Sequence, residues 1–335
     1  FGSTVDVDTT WGNTLSGNLY ISNWVSVTTN NVGSPIITLQ RCITCTISNT
    51  TIFDPTISVT NTGVLILNDS EGTMIQNIFL GELSVGIGTE ANTVGSTGSA
   101  PGETIIVNAQ IDCAGGAGTG CANNSFIGIQ FGASSYNNSV INATITSSSA
   151  GNSGAQAINV SGNSFTGLFM ARIIGSTLSY VGANQIVVTG AVPTPTGLIV
   201  EGCTFLVEST GVGTGVLIAP STTLSNFIFT GNYVVGSSTP IYVNTGSAIV
   251  NSYVTGNICT NDPNGTCNGA YGPTINRDTT PIAYASLPTC NGSIIGERAA
   301  VNNSNTSTWG ASIAGGGTNV VQAWCNGSTW TVSGK

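Results

Sequence analysis

An all-β chain wound as a single-stranded right-handed parallel β-helix, closed by a small C-terminal β cap, is the fold class this sequence predicts. Three observations carry it. Short runs dense in Val, Ile, Thr and Phe alternate with Gly/Asn/Ser clusters, with no 3.6-residue apolar period of useful length between them. The stretch "GVLIAPSTTLSNFIFTGNYVVGSS" (215–238) aligns with "PIYVNTGSAIVNSYVTGNICTND" (240–262), apolar run on apolar run and turn on turn. That interval of about 25 residues is too short for a four-stranded propeller blade and suits one coil of a solenoid.

From the N-terminus, residues 1–275 are expected to form the solenoid. Fainter echoes of the repeat occur in "AINVSGNSF" from 157, "IIGSTL" from 173 and "GLIVEGCTF" from 197. Roughly eleven coils would stack as parallel strands about 4.8 Å apart, a rod on the order of 50 Å long with right-handed crossovers. The Thr-Gly-Asn in "FTGNYV" and "VTGNIC" is expected to turn a corner. Gly and Asn tolerate positive φ there, and stacked Asn side chains can hydrogen-bond from coil to coil. The Gly/Ser-rich stretches 86–103 and 113–121 are expected to leave the coil as loops. Open solenoid ends expose strand edges and need a cap or a partner. Residues 276–335 are assigned to that cap: Pro281 and Pro288 break the rhythm, and "GGGTN" (315–319) and "CNGSTW" (325–330) read as turns between strands.

Charge excludes several functions. Only 6% of the 335 residues are charged, the formal net charge is −9, and Gly, Asn, Ser and Thr make up about half of the chain. The cations Arg41, Arg172, Arg277, Arg298 and Lys335 form no basic stripe, so neither nucleic acid nor an anionic membrane surface is an expected partner. No apolar run is long enough to span a bilayer as a helix, and the opening at Phe1 without a signal-like segment suggests a processed or trimmed chain.

Nine cysteines suggest an oxidising, extracellular setting. The expected pairs are Cys113 with Cys121, Cys259 with Cys267, and Cys290 with Cys325, each bracketing a turn-rich or terminal segment. "CITC" at 42–45 lacks the helix a thioredoxin-type site would open, and reads as structural cysteine, paired or free. Cys203 is left over and reads as a buried thiol.

With no histidine, no Ser-His-Asp or Cys-His arrangement is available, and catalysis would fall to the fourteen carboxylates. Cleavage of a polysaccharide by paired carboxyls needs them about 5–9.5 Å apart, a spacing neighbouring coils can supply. Glu201 and Glu208 in "GLIVEGCTFLVEST" are the candidate catalytic pair, beside the plainer reading of solvent-facing carboxylates near a turn. Glu82 with Glu103, and Glu90 with Asp112, lie about one coil apart and are weaker candidates. Asp6 and Asp8 share one face of a strand and could ligate calcium, although an exposed N-terminal strand is preferred. No metal and no cofactor are expected. Trp324 and Trp330, with Trp309, can stack on sugar rings, against the plainer reading of cap core or subunit packing.

The segment "IIGERAAVNNSNTSTWGASIAGGGTNVVQAWCNGSTWTV" resembles the C-terminal module of many bacteriophage tail fibres and tailspikes. It carries a "GERA" strand, "WG" followed by "AGGGTN", and "NGSTW" near the terminus. The preceding coils resemble, in rhythm, the pectate-lyase-like β-helix of the same proteins. The resemblance implies a homotrimeric, elongated virion appendage that contacts the host surface alongside other tail proteins. The expected function is therefore binding of host surface polysaccharide by a hydroxyl- and amide-rich flank during attachment. A tailspike depolymerase and a purely structural fibre are the alternatives.

Overall fold

The computed structural model describes residues 5–8, 15–16, 20–22, 25–27, 35–40, 42–53, 62–67, 70–89, 101–113, 126–132, 135–147, 155–161, 171–179, 184–189, 196–207, 214–219, 222–236, 239–244, 247–250, 252–260, 277–292, 295–296 and 298–334. It is an all-β protein, a parallel solenoid followed by a separate four-stranded sheet. Its single described helical turn is Tyr284–Ser286.

One face of the solenoid is a nine-stranded sheet running from Val5–Asp8 to Thr239–Val243, every pair parallel. A single column of its register reads Val5, Ile37, Val64, Ile87, Ile129, Ile158, Ile186, Val216, Ile241. Every rung is β-branched, which suits a pleated surface where χ1 is already restricted. From Ile37 to Ile241 these side chains are essentially sealed from water. They belong to one apolar core with the inward residues of the other faces, among them Phe205, Phe227 and Phe229, whose rings sit 5.8 and 6.1 Å apart. Truncating one such Ile to Ala costs about 2–5 kcal/mol.

The described strands of this face number nine, fewer than the roughly eleven coils expected. The 25-residue step holds between Val216 and Ile241, but side-chain bonds between adjacent coils elsewhere join residues 31, 34 and 43 apart. Longer coils mean fewer of them.

The second and third faces share strands. Thr46–Phe53 pairs with Tyr20–Ser22 through its first half and with Val25–Val27 through its second. Between the halves the chain turns a corner at a residue of positive φ, and this corner recurs in eight successive coils: Asn49, Asn77, Asn108, Asn142, Gly175, Gly202, Gly231 and Gly256, with φ from 49° to 66°. The last two are the glycines of the Thr-Gly-Asn repeats, so the expected corner is present. Where the corner is Asn, its amides stack outside: Asn77 Nδ2 donates to Asn49 Oδ1 at 3.3 Å, and Asn108 Nδ2 to Asn77 Oδ1 at 3.2 Å.

The residue after each corner points inward. In the later coils this inner column is polar: Ser176, Cys203, Asn232, Asn257. The hydroxyl and the two amides each take a backbone N–H from the preceding coil. Ala143 N–H donates to Ser176 Oγ at 3.2 Å, Cys203 N–H to Asn232 Oδ1 at 2.8 Å, and Asn232 N–H to Asn257 Oδ1 at 2.9 Å. The amides return donors to carbonyls: Asn232 Nδ2 to Val200 O and Asn257 Nδ2 to Phe229 O. These bonds satisfy backbone groups that bending pulls out of the ladder, which would otherwise be costly in a dry core.

Cys203 is the thiol rung of this column, unbonded to any other cysteine, with its sulfur 3.4 Å from the carbonyls of Ile173 and Glu201. Burial pushes the thiol up to about 11. Cys42 and Cys45 are joined to each other across Thr44, itself at φ 57°. Cys113 is disulfide-bonded. Its expected partner Cys121, and the side chains of the expected pair Cys259 and Cys267, lie outside the described residues.

The C-terminal sheet runs Arg277–Ile282, Arg298–Ser304, Asn319–Cys325, Trp330–Gly334, the first pair parallel and the others antiparallel. Asn319–Cys325 alternates, with Val321, Ala323 and Cys325 inward and Val320, Gln322 and Trp324 outward. The inward set packs with Ala299, Val301, Ile313, Trp330 and Val332 in a core of its own. Cys290 is bonded to Cys325, tying the segment between the first and second strands of the sheet to its third.

Candidate functional site

The outward face of the C-terminal sheet holds the candidate site. Arg298 lies directly opposite Trp324, and Trp324 directly opposite Thr331, so one row crosses three strands. Side chains opposite one another in such a pair leave the sheet about 5 Å apart. Trp309 reaches this face from the turn that precedes it. Gly310, at φ 74°, donates its N–H to Val332 O at 2.9 Å, and Val332 N–H donates to Ala311 O at 2.9 Å, pinning the turn to the last strand. The result is a groove of about 790 Å³ lined by Arg298, Trp309, Gln322, Trp324, Asn326, Thr331 and Ser333, with small residues between them. Its volume is that of a small-ligand cleft. Trp309 is 75% exposed and Trp324 40% exposed, an unusual outlay of large aromatic surface.

Part of the polar lining is already committed. Asn326 Oδ1 accepts from the N–H groups of Ser328 and Thr329, building its own turn. Thr331 Oγ1 donates to Trp324 O at 3.3 Å. Among the described lining residues there is no Asp and no Glu.

Of the two tryptophans expected to bind sugar, the structure separates one from the other. Trp324 lines the groove. Trp330 is 3% exposed, packed in the core of the sheet with its indole N–H donated to Pro288 O at 2.9 Å, so it offers no ring face to a ligand. Trp309 and Arg298 complete the groove. Arg298 carried no functional signal in the sequence because its neighbour Trp324 is remote along the chain.

Glu201 is exposed at the end of Thr196–Glu201, between Ile174 on one coil and Thr230 on the next. Its column of the register, Gln76, Val107, Ile141, Ile174, Glu201, Thr230, Thr255, holds no second carboxylate. Glu208 and Glu90 lie outside the described residues. Glu82 and Glu103 do not stack: the Glu82 N–H donates to Asp112 O, whereas the Glu103 N–H donates to Tyr136 O at a different corner. Asp112 accepts from Thr146 Oγ1 at 2.9 Å. The side chains of Asp6 and Asp8 are outside the described residues, and among those described no cluster of three or more metal-ligating groups occurs.

One carboxylate contact was not foreseen. Glu71, Gly102 and Tyr136 are successive rungs of a short parallel ladder. The Tyr136 ring lies across Gly102, where a Cβ would meet it, and its hydroxyl donates to Glu71 Oε1 at 2.6 Å, 65 residues away. Burial, then the bond and charge of Glu71, push the phenol up to about 12. It stays a proton donor to Glu71, a brace across three coils.

No protein-family model matches the chain, and no curated protein matches it in sequence. Among solved structures it is similar to PfbA, a surface adhesin of Streptococcus pneumoniae, at 14% identity and TM-score 0.43, over 67% of this chain and 62% of that one. It is also similar to the GH136 lacto-N-biosidase from Eubacterium ramulus, at 11% identity and TM-score 0.31 for the selenomethionine derivative and 12% and 0.30 for the native protein. Those matches cover 67% of this chain and 50% and 51% of theirs, so the chain spans about half the enzyme's length and less than two thirds of the adhesin's.

Proposed function

We propose that this protein is a receptor-binding spike or fibre of a bacteriophage tail, which holds host surface polysaccharide in the groove of its C-terminal sheet during attachment. The observation that carries the reading is the pair of exposed indoles, Trp309 and Trp324, set in one sugar-sized groove. Indole faces bury the C–H faces of sugar rings, and amides and hydroxyls around them can satisfy the ring hydroxyls. The tail assignment itself rests on the resemblance of the C-terminal segment. In this reading residues 1–275 are the shaft, 276–335 the binding and trimerisation module, and the setting is a virion tail or another extracellular appendage.

Self-association as a homotrimer is part of the proposal. On the flank of the last coils, positions held by Gln110, Thr144, Thr177 and Thr204 in earlier coils become Tyr233 and Ile258. Ile258 is 62% exposed and Tyr253, nearby on the last coil, 60%. Such a patch fits burial against another copy. Three grooves on one particle would turn weak single-site binding into useful avidity. Binding is favoured over cleavage because the described lining of the groove, rich in indole and amide, includes no carboxylate.

The test is incubation of the protein with a panel of bacterial surface polysaccharides, following retention and chain length together. Retention of intact chains, lost in Trp324→Ala, is expected. Shortened chains would replace the proposal with a depolymerase. Neither retention nor shortening, on a panel that includes the host's own polysaccharide, would leave a structural fibre.

A further inference from the structure

We infer that the groove selects acidic polysaccharide, a chain whose sugar carries a carboxylate that Arg298 holds while Trp324 carries the ring of the same residue. The inference rests on the glycan-binding reading above and deepens it.

The chain has five basic residues in 335, and one of them stands in this groove. On a protein that makes its surface from amides and hydroxyls, a guanidinium beside two indoles is a local exception. Among the described residues that line the groove there is no Asp or Glu to neutralise it. Arg298 and Trp324 are directly opposed in an antiparallel pair. Their side chains therefore start about 5 Å apart, close to the width of one pyranose ring. A uronic or sialic acid places its carboxyl at the rim of its ring, so one sugar reaches both groups. The guanidinium fork matches the two oxygens of a carboxylate and offers a neutral hexose only single hydrogen bonds. Gln322, two residues before Trp324 on the same face, remains for ring hydroxyls.

The net charge of −9 does not oppose this at contact distance. Screening confines the general repulsion to within about 8 Å at physiological salt. What the acidic surface does is slow the approach of a polyanion away from the groove and leave Arg298 as the local attractor.

The experiment uses the whole protein immobilised, with polygalacturonate, hyaluronan and polysialic acid as probes, each beside its carboxyl-reduced form. Reduction keeps the backbone and removes the charge. The acidic form of at least one probe is expected to bind about tenfold or more tighter than its reduced form, the scale of one charge-assisted pair. That preference should weaken as salt rises. Arg298→Gln should abolish the preference for the acidic form over its reduced form. Arg298→Lys should recover part of it, because a point charge lacks the fork. Arg298 and Trp324 are both exposed, and an unchanged circular dichroism melt confirms that the variants fold. Equal binding of acidic and reduced forms, or a preference that survives Arg298→Gln, overturns the inference and leaves the glycan-binding reading intact. Failure of every acidic probe to bind, while neutral chains are retained through Trp324, overturns it as well. Retention that is indifferent to Trp324→Ala removes both.

Discussion

The corner between the second and third faces is built in two ways. In the first four of its described coils the turning residue is Asn and the inner residue is Thr50, Ile78, Ala109 or Ala143; in the last four the turning residue is Gly and the inner residue is Ser176, Cys203, Asn232 or Asn257. The backbone conformation is the same, with φ between 49° and 66° throughout. What moves is the hydrogen-bonding side chain, from the solvent side to the core side. Outside, the amide ladder competes with water and contributes little. Inside, it satisfies buried backbone groups, the Cys203 N–H and the Val200 carbonyl among them, so each rung is worth far more.

The most severe test of this contrast is Asn232→Ala. It strands the buried N–H of Cys203 and the carbonyl of Val200, and should cost about 3 kcal/mol. Because coils in a solenoid unfold semi-independently, the loss should be read by hydrogen exchange in residues 196–236 as well as by the melting temperature. A shift no larger than that of an exposed Asn77→Ala would dissolve the distinction between the two halves.

The thiol rung gives a smaller effect with a defined pH window. Free, such a thiol titrates near 9.0; folded, burial holds its proton to about 11. The folded state therefore binds the proton more tightly, and its advantage is complete below pH 9 and lost as pH rises through 11. The change is about 2 kcal/mol. Denaturant titrations at pH 8 and 11 should show it in the wild type. Cys203→Ser, which keeps a polar rung that does not titrate in this range, should lack that component.

Gly231→Ala adds a side chain at φ 63° with its nearest neighbour 3.9 Å away, so only backbone strain opposes it, about 1 kcal/mol. Gly231→Asn should cost less, since Asn visits this region readily, and would convert one late corner into an early one. The smallest effect belongs to the converse. Asn77→Gly keeps the conformation and gives up two exposed amide bonds, for a change below about 0.5 kcal/mol in thermal or chemical melts. If Asn77→Gly proves worse than Gly231→Ala, the outer ladder matters more than its exposure allows.

The legible part of the fold was the part written in one repeated phrase. "TGN" in two successive coils announced both the Gly corner and the inner amide, and the β-branched runs announced the sheet. The early corners escaped because they use Asn without Gly, in "SNTT", "QNIF" and "VNAQ", and because corners from Asn49 to Asn142 recur 28, 31 and 34 residues apart rather than 25. That unevenness also hid Glu71 under Tyr136, 65 residues apart. In the C-terminal sheet, the alternation in "NVVQAWC" already put Trp324 opposite in sense to Val321 and Ala323. Trp330 was harder, since "WTVSG" offers too short a run to assign a face; its burial and its bond to Pro288 O show that it faces the core.

The β-branched column has a consequence for how such a protein can diversify. From Val64 to Ile87 the chain returns to the column after 23 residues, and from Ile87 to Ile129 after 42. The rung is equally well seated in both cases, because the stack registers only what enters it and is indifferent to how much chain lies between. Sequence can therefore be inserted or exchanged between rungs without repacking the interior, which makes the solenoid a frame on which new surface specificities can be tried at little risk to the fold.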